Sequence, residues 1–93
     1  MTPAFLEELR KRISLPDLVR KHSELERSHR QWRCCCPFHD EKTPSFYVYE
    51  DDHYHCFGCG AHGDAISFVM QSEGIGFSEA VEKLAKMVGM ERP

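Results

Sequence analysis

The sequence predicts an α+β domain: a small antiparallel β-sheet flanked by N- and C-terminal helices. Three observations predict it. Apolar residues recur at helical spacing only near the two ends. The centre holds short runs rich in aromatic, β-branched and cysteine residues, which suit strands. Two tight pairs of metal-binding residue types, Cys36 with His39 and Cys56 with Cys59, bracket that central region.

Thr2-Pro3 opens the first helix, a hydroxyl cap followed by proline in the first turn. Phe5, Leu6, Leu9 and Ile13 carry its apolar spacing, and the helix is expected to run to about Arg12. Ser14-Leu15-Pro16-Asp17 restarts the chain, with Ser14 as cap and Asp17 where a capping-box acid belongs. A short second helix then carries Leu15, Leu18 and Val19 and fades near His22. Strands are expected over Gln31–Cys36, Ser45–Tyr49 and His53–Phe57, the last two joined by the acidic turn Glu50-Asp51-Asp52. Asp64 caps a helix carrying Ile66, Phe68, Val69 and Met70 that Gly74 closes. Ser78 is expected to cap the final helix, whose Val81, Leu84, Ala85 and Val88 form one face before Gly89.

A chain of 93 residues, 41% hydrophobic and 29% charged, fits one soluble domain over residues 1–93. Gly89-Met-Glu-Arg-Pro93 reads as a boundary before another domain, so an N-terminal fragment of a longer protein is expected. No apolar run approaches the ~20 residues of a membrane span, and the N-terminus lacks a secretory apolar stretch. These features point to the reducing cytoplasm, where five cysteines serve better as metal ligands than as disulfides. The net charge of −3 argues against a strong, indiscriminate nucleic-acid binder. Charge is uneven, however. Arg27, Arg30 and Arg33 fall in one stretch with a histidine and no acid, and any nucleic-acid contact should involve it.

Zinc takes tetrahedral nitrogen and sulfur ligands, which two such pairs supply. The two-residue gap within each pair turns both side chains inward from one knuckle, and the 16 residues between pairs suffice for a hairpin arm. One structural Zn²⁺ held by Cys36, His39, Cys56 and Cys59 follows, making the fold a zinc ribbon. In the run Cys34-Cys35-Cys36, the gap to His39 favours Cys36. Cys34 would share its face of the strand, and both spare cysteines read as small buried hydrophobes, with a redox switch as the alternative. Four good ligands close the site, so hydrolysis is disfavoured although Asp40 and Glu41 follow His39. His55 and His62 lie close enough to the ligands to support them or to touch nucleic acid.

Cys36-Pro-Phe-His-Asp-Glu-Lys-Thr-Pro-Ser-Phe46, then Tyr54-His-Cys-Phe-Gly-Cys-Gly60 through Ile66, and Phe68-Val-Met70, resemble the N-terminal zinc-binding domain of bacterial DNA primases. The resemblance extends over essentially the whole chain. It implies recognition of initiation sites in single-stranded DNA template, and assistance to a separate RNA polymerase domain, in cis or in trans, during primer synthesis. It implies the same four zinc ligands, basic template contacts at Arg27, Arg30 and Lys42, and action at the bacterial replication fork. Contact with the replicative helicase would belong to parts of the parent protein outside this chain. This sequence departs from the pattern in its acidic turn, where relatives often carry lysine, and in Cys34.

Single strands are held by backbone charge and by stacking of bases on aromatic rings. Arg33 joins the basic set, and strand alternation is expected to bury Phe46 and Val48 while exposing Tyr47 and Tyr49. Phe46 and Trp32 are expected to pack. The competing reading is a zinc-dependent module that docks on replication proteins without touching DNA. No acidic Mg²⁺ cluster for nucleotide polymerisation is apparent.

Overall fold

In the computed structural model, which describes residues 2–38 and 43–91, four helices and five strands follow one another as α1 (Pro3–Arg12), α2 (Leu15–Arg20), β1 (Glu26–Ser28), β2 (Gln31–Cys34), β3 (Phe46–Tyr49), β4 (Tyr54–Cys56), β5 (His62–Gly63), α3 (Ala65–Glu73) and α4 (Phe77–Met87). The strands form one antiparallel sheet in sequence order, each hydrogen-bonded to the next.

The caps explain where the helices begin. Phe5 N–H donates to Thr2 Oγ1 at 3.1 Å, Asp17 N–H to Ser14 Oγ at 3.4 Å, and Ser67 N–H to Asp64 Oδ1 at 3.0 Å. Asp17 turns its carboxylate to Arg20, 2.8 Å away, instead of back toward the cap. The last helix differs from expectation. It starts at Phe77 from an extended Gly76, and Ser78 lies inside its first turn. At its end Gly89 turns left-handed, and the Gly89 and Met90 N–H groups return to the carbonyls of Lys86 and Ala85.

The strands are shorter than expected at the metal-binding pairs. β2 stops at Cys34, because Pro37 has no N–H for a ladder and the chain must turn into the first knuckle. β1 and β5 were not expected. β1 pairs with β2 across a two-residue turn in which His29 takes φ 58°, and β5 is only His62–Gly63 against Tyr54 and His55.

Sheet register sorts the side chains. Cys34, Phe46, Val48, Tyr54 and Cys56 point to one face and are buried. The four helices cover that face with Leu9, Ile13, Leu15, Leu18, Val19, Ile66, Phe68, Val69, Val81 and Leu84. Alternation therefore buries Phe46 and Val48 and leaves Tyr47 and Tyr49 half-exposed on the other face, as expected. Trp32, opposite Val48, packs partly against the core.

Two polar ties hold the helices in place. Asp64 Oδ2 accepts from Arg10 Nε at 3.1 Å, joining α1 to the start of α3. Asp52, in the β3–β4 turn at φ 60°, accepts the Leu15 N–H at 3.1 Å and so holds the first residue of α2. No helix among the described residues is long and apolar enough to cross a membrane.

Candidate metal centre and nucleic-acid interface

The two knuckles meet at one end of the sheet. Cys36, Cys56 and Cys59 bring their sulfurs within 4.8 Å of one another. The Cys36 and Cys59 sulfurs are 3.9 Å apart. Two thiolates on a tetrahedral zinc, at Zn–S about 2.3 Å, stand about 3.8 Å apart, so the cluster fits the ion. The second knuckle is shaped by backbone bonds: Cys56 N–H donates to Ala61 O at 2.7 Å and Gly60 N–H to Cys56 O at 2.8 Å. Gly60 closes that turn at φ 82°, a conformation that disfavours a β-carbon.

The electrostatics agree. Burial pushes the Cys36 thiol to about 12, the Phe38 N–H opposing it and the Cys56 and Cys59 sulfurs adding to it. Such a crowded set of thiols ionises together only beside a cation, and Zn²⁺ supplies that charge when bound. Beneath the knuckles, Phe38 packs its ring 5.7 Å from Phe46, 5.9 Å from Tyr54 and 5.4 Å from Phe68. The metal end and the aromatic core are thus one unit. His39, Asp40, Glu41 and Lys42 lie outside the described residues.

Cys34 is buried opposite Phe46, and burial pushes its thiol to about 11 against the Ser23 hydroxyl. Cys35 is half-buried; its carbonyl accepts the Ser23 hydroxyl at 3.3 Å.

The helix-free face of the sheet carries a transverse row, Glu26–Arg33–Tyr47–His55–His62, each side chain opposite the next by register. His55 and His62 stack with ring centroids 6.0 Å apart. Phe57 joins the row from the second knuckle, 4.5 Å from the His55 ring and 5.4 Å from Tyr47. It is 67% exposed, the most exposed large hydrophobic side chain of the described residues. Sequence reasoning missed Phe57, yet a signal was present. If Cys56 must face inward to bind metal, alternation turns both neighbours, His55 and Phe57, outward.

The basic residues separate. Arg33 shares the open face, where its Nη2 donates to Glu26 Oε1 at 3.2 Å. Glu26, and beside it Tyr47, hold its guanidinium charge above the ordinary arginine range. Arg27 lies opposite Trp32, on the other face, with its guanidinium carbon 4.3 Å from the indole centroid and an ion pair to Glu50 at 3.0 Å. Arg30 sits exposed in the β1–β2 turn. The acidic turn is largely structural: Glu50 serves Arg27 and Asp52 serves Leu15.

A metal-clamped antiparallel sheet, covered by helices on one face and bare on the other, is a zinc ribbon with a structural ion. The CHC2 zinc finger family matches residues 1–93. The chain is 48% identical over 90 residues to the DNA primase of Pasteurella multocida and 52% identical over 86 residues to that of Chlamydia trachomatis. These alignments take in 96% and 91% of this chain but 16% and 14% of the relatives' length. A crystal structure of the zinc-binding and RNA polymerase domains of Aquifex aeolicus primase superimposes with TM-score 0.88 at 40% identity, covering the whole of this chain and 23% of that one. The chain belongs to the CHC2 zinc finger family, as a zinc-binding domain of the DNA primase type.

Proposed function

We propose that this domain lays single-stranded DNA template across the open face of its sheet and presents it to the RNA polymerase domain of a longer primase, in cis or in trans. One observation carries the reading: a phenylalanine, 67% exposed and fixed by a metal knuckle, lies among Tyr47 and His55 on a face without helices. Rigid exposed rings suit base stacking, worth about 1–3 kcal/mol per base. Arg30, Arg33 and Lys42 supply the phosphate contacts, and Tyr49 extends the aromatic surface. Arg27 is left out, because its guanidinium is taken by Trp32 and Glu50 on the other face.

His39 completes the zinc site as the fourth ligand, which leaves no open position for catalysis. The domain therefore contributes template recognition, and nucleotide transfer belongs to the polymerase domain. This work is done in the bacterial cytoplasm at the replication fork, and any contact with the replicative helicase falls to other parts of the parent protein.

Fluorescence anisotropy with short labelled single-stranded DNAs tests the reading. Phe57→Ala is expected to weaken binding about 5–150-fold, in line with the loss of one stacked base. Arg30→Ala and Lys42→Ala should lower both affinity and its salt dependence. Affinity that ignores sequence and all three substitutions refutes the reading. A replication protein retained in a pull-down, with no measurable DNA binding, selects the docking module instead.

A further inference from the structure

We propose that Glu26 sets the affinity of the open face by occupying Arg33 as a built-in substitute for a backbone phosphate; this rests on the template-binding reading above. Arg33 stands in the aromatic row, directly opposite Tyr47 on β3. Its cross-strand neighbour on the other side is Glu26, whose carboxylate takes one guanidinium N–H at 3.2 Å. Carboxylate and phosphate offer guanidinium the same two-oxygen geometry, so the two ligands compete for one fork.

The details of the pair favour displacement. Glu26 stands on the edge strand with its side chain 64% exposed, against 37% for Arg33. Among the described residues its carboxylate bonds only Arg33, and leaving breaks no other bond within that set. An exposed ion pair contributes little to folding, so exchanging it for a phosphate sacrifices little stability. Arg33 Nε is buried, so an incoming phosphate would take the Nη2 edge that Glu26 now holds. The Glu26 charge also repels any phosphate that approaches the row. Both effects have one sign: Glu26 holds template binding weak and reversible.

The contrast with Glu50 makes the inference specific. Glu50 also holds an arginine, but that arginine lies over Trp32 on the opposite face. Glu26→Gln and Glu50→Gln change net charge equally, yet only the first frees a cation beside the stacking rings.

The test is anisotropy of the zinc-loaded domain with a labelled single-stranded oligodeoxynucleotide over a range of KCl. Glu26→Gln is expected to tighten binding about 3–10-fold at low salt, the order of removing one repulsive charge near a phosphate at a solvated surface. The slope of log K against log salt should steepen by about 0.7, one further contact on a single strand. Glu50→Gln should change affinity less than about twofold, and Glu26→Gln should gain clearly less on an Arg33→Ala background than on wild type. Equal gains in the two glutamine variants, no gain, or weaker binding by Glu26→Gln overturns the inference while wild-type binding leaves the template reading intact. Absence of binding by every variant, including wild type, overturns both.

Discussion

Gly63 is the residue at which the metal end of the sheet meets helix α3, and replacing it should be costly for two separable reasons. Its φ is +152°, outside the range that side chains accept readily. A β-carbon built there meets Ser67 Cβ at 2.6 Å and Ser67 Oγ at 2.9 Å, with the Tyr54 hydroxyl at 3.4 Å. The backbone conformation alone should cost Gly63→Ala about 1–3 kcal/mol. The overlap with Ser67, which lies in the rigid first turn of α3, should add about 1–3 kcal/mol. A total of about 2–6 kcal/mol lowers the melting temperature of a domain this size by roughly 10–45 °C. Chemical denaturation of the zinc-loaded protein measures it. Adding Ser67→Gly removes the overlap but not the backbone strain, so the double variant should recover about 1–2 kcal/mol relative to additivity. A single variant within about 0.5 kcal/mol of wild type, or strictly additive effects, refutes the reasoning.

Zinc removal should unfold or strongly destabilise the sheet, because the Cys36, Cys56 and Cys59 cluster and the Phe38 packing beneath it form together; a chelator that leaves the thermal midpoint in place contradicts this. Burial opposes the Asp64 charge, but the Ser67 N–H and Arg10 together outweigh it and hold the carboxyl below its usual range. A depressed carboxyl stabilises the fold above its unfolded value near 4 and loses that contribution as pH falls through the folded value. Wild type should therefore exceed Asp64→Asn in melting temperature above about pH 4, with the gap closing below it at matched zinc loading. Burial, with Asp64 and the cysteines adding to it, pushes the Tyr54 hydroxyl to about 12. Its contribution is complete below about pH 10 and lost as pH rises through 12, so phenolate absorbance should report Tyr54 ionising only with unfolding. Asp52→Gly keeps the left-handed turn but removes the acceptor of the Leu15 N–H, and should cost about 1–2 kcal/mol, while Asp52→Asn should stay near wild type.

Elements specified by local chemistry were legible in the sequence. Thr2, Ser14 and Asp64 cap their helices through bonds that need only the next turn of chain. The Phe46–Tyr49 alternation needed only a period of two. What escaped depends on partners distant in sequence. Glu26-Arg27-Ser28 has no apolar alternation, and it becomes a strand because β2 offers it an edge. His62-Gly63 is too short to read as a strand, and its place is fixed by Tyr54 on one side and the close approach of Ser67 on the other. Ser78 looked like a cap, but the chain gained two further helical residues by starting from extended Gly76.

The functional face shows the same division, and it changes how the charge should be weighed. A net charge of −3 and an acidic turn count every carboxylate alike. In the fold, Glu50 is tied to Arg27 away from the stacking rings, and Asp52 is spent on the end of α2. Of the acids the described residues place near the open row, Glu26 is the one in direct competition for Arg33. Charge on that face is therefore set by one ion pair and not by the sum over the chain. The aromatic surface follows from the metal in a comparable way. Cys56 must turn inward to reach Cys36 and Cys59; strand alternation then sends His55 outward, and Phe57 follows just past the strand end, where its N–H still bonds Ser45 O at 2.9 Å. An apolar ring that burial alone would draw into the core is instead fixed in solvent by its neighbour's ligand. The zinc thereby places the most exposed ring of the proposed template surface while taking no part in chemistry.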